Sequence, residues 1–207
     1  NIPLISFVIL KGKCRNCNIN ISFQYFLVEL IAGLSFIFIY HLFGFSITSI
    51  LLAILSIFFI IIFFIDLKHY IIPNELTFPL MAIGFLKSFD PNLNQTIFPN
   101  YINSLIGGLV GYSIIWLIIF IYKKIRNKEG MGLGDAKLLA VIGFWFGWLS
   151  IPFTIFISSV AALIFITPSI LNKSIKMTSQ IPFGPYIIIG CIIFVSFANQ
   201  IKSIIFF

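Results

Sequence analysis

The sequence is poor in charged residues, and this scarcity excludes most soluble folds. Of its 207 residues only 9% are charged and only 6 are acidic, whereas 60% are hydrophobic and the mean hydropathy is +1.11. A soluble domain carries about a quarter charged residues. At about 20 residues for each membrane crossing, the chain is long enough to cross a bilayer several times. The composition therefore predicts an all-α polytopic transmembrane protein embedded in the lipid bilayer.

Other missing features exclude further classes of protein. The apolar runs are continuous and do not alternate with polar residues, which excludes a transmembrane β-barrel. The 13 lysines and arginines fall in short loops and not on one face, so we expect no nucleic-acid partner. Three cysteines are too few for a disulfide framework. No signal-peptide pattern precedes Asn1, and we expect the sequence to begin inside a longer chain.

The apolar runs predict about seven membrane spans. They cover residues 24–43, 45–65, 75–89, 101–122, 133–149, 151–171 and 183–206. The third is short and contains Pro79, which favours a tilted, kinked or partly interfacial segment. When the spans alternate in direction, 11 basic residues fall in one set of loops and only Lys87 and Lys202 in the other. The positive-inside rule places the richer set in the cytosol.

Two aspartates lie at predicted helix ends on that cytosolic side. Asp66 follows the apolar run 58–65, and Asp135 follows Gly132-Leu-Gly134. Carboxylates at the edge of the hydrocarbon are costly and suggest function, although each aspartate alone could be an interfacial residue solvated by headgroups and water. Two carboxylates within hydrogen-bond distance share a proton and supply both an acid and a base. This chemistry predicts a membrane aspartic protease.

The residues around each aspartate favour an irregular backbone. Pro73 predicts a non-helical stretch around Asp66. Gly130, Gly132 and Gly134 permit close backbone approach and loosen the start of the helix that carries Asp135.

Two further features have structural interpretations. Lys137 is expected to extend to the cytosolic surface, with a contact to the aspartates or to a backbone carbonyl as the alternative. The spacing of Gly107 and Gly111 predicts helix packing.

Several segments, in order and spacing, closely resemble the motifs of bacterial prepilin peptidases. These enzymes are also called type IV leader peptidases and belong to the GxGD class of membrane aspartic proteases. The two active-site motifs match residues 66–77 (DLKHYIIPNELT) and 130–139 (GMGLGDAKLL). The other matching segments are residues 1–6 (NIPLIS), 11–17 (KGKCRNC), 21–29 (ISFQYFLVE) and 181–185 (IPFGP).

The resemblance implies a concrete activity. Such enzymes remove the short basic leader of type IV prepilins or pseudopilins by cutting after a glycine at the cytosolic edge of the substrate's hydrophobic helix. Asp66 and Asp135 would be the catalytic pair and would need no cofactor for proteolysis. The protein would lie in the bacterial inner membrane with its active site facing the cytosol. Many members also methylate the new N-terminus with S-adenosylmethionine. Glu29 is a candidate for methyl transfer or amine binding, and an interfacial carboxylate is the alternative.

The N-terminal segment departs from the family pattern. Bifunctional members carry two CxxC pairs after one more N-terminal helix, whereas only Cys14 and Cys17 are present here. Truncation explains this difference, so we expect eight spans in the full protein. Residues 1–22 would be the remnant of a cytosolic cysteine domain, and residues 23–207 the transmembrane peptidase domain. The two thiols would be half of a four-cysteine zinc site, with a redox pair as the alternative.

Other functions remain open from sequence. A proton-coupled transporter also carries carboxylates in its helices, but near the bilayer midplane and often within inverted repeats, which are not detected here. A non-enzymatic scaffold of a secretion machine needs no paired acids. Among enzymes, a GxGD protease acting on ordinary transmembrane helices is the nearest alternative, and the CxxC segment disfavours an archaeal-type preflagellin peptidase.

Overall fold

The long apolar runs of the sequence fold as helices. The computed structural model describes residues 3–93, 97–127, 132–171, 181–198 and 200–201. Within these ranges lie the helices α1 (Pro3–Ile9), α2 (Phe23–Phe43), α3 (Ile47–His69), α4 (Asn74–Leu86), α5 (Tyr101–Arg126), α6 (Leu133–Phe146), α7 (Ser150–Leu171) and α8 (Gly184–Ser196). A single 3-10 turn, Lys87–Phe89, follows α4. The predicted all-α class is confirmed.

Each predicted span overlaps one of these helices, but the helices differ in length. The helices α2, α3 and α5 and residues 150–168 of α7 are long and apolar enough to cross a membrane. The helices α4, α6 and α8 have 13, 14 and 13 residues, fewer than the roughly 20 of a straight crossing. The polytopic membrane class is therefore confirmed, whereas helix length alone does not establish seven crossings. Lys202 and the end of the last predicted span lie outside the described residues.

The chain divides into two compact units, residues 1–60 and 61–207. In the first unit, the Phe7 ring of α1 packs against Phe23 and Phe26 of α2, with centroids 6.3 and 5.2 Å away. A turn that contains the CxxC segment joins these two helices, and its closing bond runs from the Ile21 N–H to the Gly12 carbonyl at 2.7 Å. The proposed boundary between a cytosolic part and a membrane part at residue 22 stays a prediction.

The helix α6 is the centre of the second unit. Most of its side chains are buried, and the apolar ones cover its whole circumference. A helix that is hydrophobic on every side must be enclosed by other elements. The helices α4, α5, α7 and α8 all contact it. The start of α6, where Asp135 lies, is thus held in place by its neighbours.

Glycines bring α5 and α6 into backbone contact. A Cβ atom added at Gly107 would collide with the carbonyl oxygen of Gly143, and one added at Gly111 would lie 2.6 Å from that of Leu139. These pairings run in opposite directions along the two helices, so α5 and α6 are antiparallel. The Ser104 hydroxyl donates to the Phe144 carbonyl at 2.7 Å in the same contact. The predicted packing role of Gly107 and Gly111 is confirmed.

A buried lysine, Lys87, lies at the C-terminal end of α6. Lys87 is only 7% exposed, although the sequence indicated a loop residue. Its Nζ donates to the Trp145 carbonyl at 2.9 Å and lies 3.8 Å from the centroid of the Phe98 ring. The negative end of the helix dipole and the aromatic face offset part of the cost of burying an ammonium group there. The Trp145 indole N–H in turn donates to the Leu80 carbonyl of α4 at 2.8 Å.

Candidate functional site

Asp66 lies in the last turn of α3, with only 4% of its surface exposed. The expectation of a non-helical stretch at this residue was wrong, because α3 continues to His69. The helix stops where Tyr70 adopts the left-handed conformation, with φ 57°. Pro73 constrains the residue immediately before it, not one two turns upstream. The non-helical connection therefore follows the aspartate and leads directly into α4.

Asp135 lies in the first turn of α6 and is 8% exposed. The residue before it, Gly134, allows this turn to approach the connection between α3 and α4. A Cβ atom added at Gly134 would lie 3.0 Å from the Ile72 Cβ, closer than side chains normally pack. The helix begins directly after Gly132, as its sequence suggested. Gly130 lies outside the described residues.

Packing of the second unit brings the two aspartates together. Their carboxylates are close enough for a direct electrostatic interaction. Oδ2 of Asp66 also accepts a buried hydrogen bond from the backbone N–H of Gly184, at 2.9 Å. A Cβ atom at Gly184 would lie only 2.7 Å from this oxygen, so the contact requires glycine. The site thus combines the end of α3, the start of α6 and the start of α8.

This role for Gly184 is not among those predicted from the sequence. The available signal was the dipeptide Gly184-Pro185 at the start of an apolar helix. The first N–H groups of a helix have no partner within it, and proline is common in the first turn. Such a start offers a backbone donor to an acceptor on another element. Nothing local to residues 181–185 identifies Asp66 as that acceptor.

Lys137 joins the starts of α4 and α6. Its Nζ donates to the Asn74 side-chain oxygen at 2.6 Å and lies 5.7 Å from the centroid of the Phe78 ring. This partner was not among those predicted from sequence. The contact aligns the first turns of α4 and α6, which run in the same direction. It also holds a positive charge two residues from Asp135.

The second unit places the positive ends of several helices at the aspartate pair. The helices α4, α6 and α8 all begin there, as the contacts of Asn74, Ile72 and Gly184 show. A helix N-terminus carries a partial positive charge. Because α5 is antiparallel to α6, its basic last turn lies at the same end of the unit; that turn contains Lys123, Lys124 and Arg126. These positive charges offset part of the cost of burying negative charge at the pair.

The remaining predicted site residues lie in the first unit. Cys14 is half-buried, Cys17 is exposed, and both are free thiols. The backbone N–H groups of Cys17 and Asn16 lower the pKa of the Cys14 thiol below its ordinary value. Over the described ranges, no group of three or more His, Cys, Asp or Glu side chains is placed to hold a metal ion. The two thiols fit two positions of a tetrahedral zinc site. Glu29 is exposed on α2 and lines a cavity.

The fold and the site together define a polytopic helical membrane protein with two buried, interacting carboxylates at one end of its larger unit. The model of the type IV leader peptidase family matches residues 53–167, a range that contains both aspartates. The model of the bacterial peptidase A24 N-terminal domain matches residues 1–43. The chain belongs to the type IV leader peptidase family, and the resemblance found in the sequence is confirmed.

Curated relatives extend the similarity to nearly the whole chain. The sequence is 37% identical over 204 residues to a protein of Stutzerimonas stutzeri, covering 98% of this chain and 68% of that protein. It is 38% identical over 195 residues to one of Xanthomonas campestris pv. campestris, with coverages of 94% and 66%. For one of Neisseria gonorrhoeae the identity is 34% over 195 residues, with coverages of 94% and 65%. Each of these relatives is named prepilin leader peptidase/N-methyltransferase. The chain spans about two thirds of their length. No solved structure matches it.

Proposed function

We propose that this protein is a membrane-embedded aspartic endopeptidase that removes the leader of type IV prepilins or pseudopilins after a glycine. The observation that carries this proposal is the buried, interacting pair of Asp66 and Asp135 at one end of the unit. Membership of the leader peptidase family supports the substrate class. A transporter or a scaffold gives no reason for two acids to meet at the edge of a helix bundle.

The surroundings of the two aspartates suggest different roles for them. The Gly184 N–H donates to Oδ2 of Asp66, which favours the charged form of that carboxylate. Among the described residues, no hydrogen-bond donor contacts the Asp135 carboxyl group, and the charge of Asp66 acts on it. The proton of the pair therefore resides on Asp135. Asp66 is therefore the base that deprotonates the attacking water, and Asp135 is the acid.

The reaction then needs neither a metal nor a covalent intermediate. Water adds to the scissile carbonyl as Asp66 takes its proton and Asp135 protonates the carbonyl oxygen. The C–N bond breaks when the proton held by Asp66 passes to the departing nitrogen, and the second hydroxyl of the tetrahedral intermediate returns a proton to Asp135. The positive ends of α4, α6 and α8 favour the negative charge that the pair keeps throughout.

The basic residues at the aspartate end support a cytosolic location of the site. Lys68, Lys123, Lys124, Arg126 and Lys137 are all carried by helix ends that meet there. By the positive-inside rule, this end faces the cytosol of the bacterial inner membrane. A leader that precedes the substrate's membrane helix would reach the pair from the same side.

A second activity is methylation of the new N-terminal amine with S-adenosylmethionine. The names of the relatives and the family match over residues 1–43 support it. The same segment carries Glu29 and the two cysteines. The cysteines would supply two of the four ligands of a structural zinc ion, and the lowered pKa of Cys14 favours the thiolate that zinc requires. Zinc would stabilise the cytosolic segment and take no part in proteolysis.

The direct test is cleavage of a purified prepilin by the full-length protein in bilayers. We expect Asp66→Asn and Asp135→Asn each to abolish leader removal while the protein still inserts. Asp90→Asn, which changes a carboxylate in the connection between α4 and α5, is the matched control and should cleave normally. Normal processing by either site variant would disprove the assignment. A transporter would leave the substrate intact and instead show proton-coupled uptake in proteoliposomes.

A further inference from the structure

A short non-helical segment, residues 71–73, connects α3 to α4 directly after Asp66. It begins where Tyr70 adopts the left-handed conformation, which is uncommon for a residue with a large side chain. Pro73 has extended backbone angles (φ −66°, ψ 140°), and a proline favours the extended region for the residue before it. The chain therefore changes from helix to extended backbone within about one turn of the aspartate.

The side chain of Ile72 fixes this segment beside the aspartate. A Cβ atom added at Gly134 would lie 3.0 Å from the Ile72 Cβ, and one added at Gly184 would lie 3.2 Å from its Cδ1. The same added atom at Gly184 would lie 2.7 Å from Oδ2 of Asp66, so the isoleucine and the carboxylate border one glycine. Because the starts of α6 and α8 leave room for Ile72, the segment has a defined position next to the pair.

The neighbouring residue, Ile71, has an open backbone. Successive side chains of an extended segment point to opposite sides, and Ile71 is 58% exposed whereas Ile72 is half-buried. Within the part of the chain that the structure describes, no group donates to the Ile71 carbonyl or accepts from its N–H. Like the edge strand of a sheet, the segment offers an unpaired donor and an unpaired acceptor to another chain.

A peptide substrate needs such partners at this place. In a helix the carbonyl of a peptide bond already accepts a hydrogen bond, so the attack of water on it requires local unwinding. Unwinding at the edge of the hydrocarbon exposes N–H and carbonyl groups that are costly to leave without partners. Ile71 can supply both partners without breaking a bond of its own.

We propose that Ile71 binds the substrate by pairing its backbone N–H and carbonyl with extended residues next to the scissile bond, an inference that rests on the peptidase function proposed above. This is β-strand addition, in which main-chain hydrogen bonds give affinity. The pairing would hold the unwound substrate beside Asp66. The exposed side chain of Ile71 has no part in it.

The test removes the N–H of Ile71 and keeps its side chain. Nonsense suppression replaces this residue by its α-hydroxy acid, which turns the N–H into an ester oxygen. In full-length protein in bilayers, we expect the KM for prepilin to rise about threefold to tenfold with kcat unchanged, the loss typical of one uniformly bound backbone hydrogen bond. Ile71→Ala keeps the N–H and should cleave normally. The matched backbone control is the same ester at Phe45, a 92% exposed residue between α2 and α3, which should not change the kinetics.

A second series places the ester in the substrate. In prepilin peptides with one amide replaced by an ester, cleavage should be weakened at alternate residues beside the cut, because successive N–H groups of an extended chain point in opposite directions. Unchanged kinetics of the Ile71 ester would overturn the inference, and so would an equal loss in Ile71→Ala or losses without alternation in the substrate series. Failure of the unmodified protein to cleave prepilin would instead refute the peptidase function.

Discussion

The contact between Gly184 and Asp66 allows a sharp prediction about catalysis. In Gly184→Ala, the new Cβ would lie 2.7 Å from Oδ2 and 3.2 Å from Cγ of Asp66, and 3.2 Å from Cδ1 of Ile72. Carbon atoms do not approach an oxygen this closely, so the carboxylate must rotate away. It then loses the 2.9 Å hydrogen bond from the Gly184 N–H.

The size of the effect follows from that hydrogen bond. A bond to a charged group contributes roughly 1.5 to 3 kcal/mol. If the transition state loses it, kcat/KM should fall roughly 10- to 100-fold, at about 1.4 kcal/mol for each factor of ten. Gly184 is the first residue of α8, and alanine forms helices better than glycine does, so the substitution should not weaken the helix itself. The loss should therefore appear in activity more than in stability.

The assay is the initial rate of leader cleavage, combined with thermal unfolding of each variant. Gly33→Ala is an open-surface control, because no atom lies within 4 Å of its added Cβ. Gly190→Ala is a crowded control on the same helix as Gly184, since its Cβ would lie 2.5 Å from the Ser158 hydroxyl. We expect Gly33→Ala to be unchanged and Gly190→Ala to lose stability but not activity per folded molecule. A fully active Gly184→Ala would refute the positioning of Asp66 by this backbone donor.

Three further predictions concern other contacts. Lys137→Met and Asn74→Ala should each lower the rate of leader cleavage about threefold to tenfold, because each removes the same hydrogen bond. The double variant should therefore lose no more activity than the weaker of the two single variants. Additive losses would contradict the contact. Gly143→Val should lower the unfolding temperature of the protein, because any Cβ there collides with the α5 backbone; an unchanged unfolding temperature would contradict that packing. In protein freed of zinc, Cys14 should react with iodoacetamide faster than Cys17 near neutral pH, because the lowered pKa of Cys14 leaves more of that thiol as thiolate. The difference in rate should vanish at a pH above the ordinary pKa of a thiol. Equal rates near neutral pH would contradict the lowered pKa.

Much of the fold could be predicted because its causes are local in the sequence. A continuous apolar run that must satisfy its own backbone groups in lipid forms a helix, so every predicted span overlaps one. The spacing of Gly107 and Gly111 indicated a close helix contact for the same reason: small residues one turn apart leave a groove along a helix. The cost of carboxylates near hydrocarbon singled out Asp66 and Asp135.

Helix ends were less predictable. Pro73 predicts a disrupted backbone at Asp66, but α3 persists to His69 and places the aspartate on a helix. The sequence also predicts that Lys87 lies in a loop, yet its side chain is buried between Phe98 and the end of α6. The first outcome is local, because proline constrains only the residue before it. The burial of Lys87 depends on Phe98 and α6, which a local pattern does not contain.

The membrane class, the helices and the two candidate acids follow from the sequence, because hydropathy and the cost of buried charge are properties of single residues and short runs. The contacts of these acids depend on how the helices pack. The Gly184 N–H reaches Asp66, Lys137 reaches Asn74, and Gly134 makes room for Ile72 through the packing of helices remote in sequence. A hydrogen bond forms only when its donor and acceptor lie within a few ångströms of each other. Residues on helices remote in sequence come this close only when the whole unit is packed.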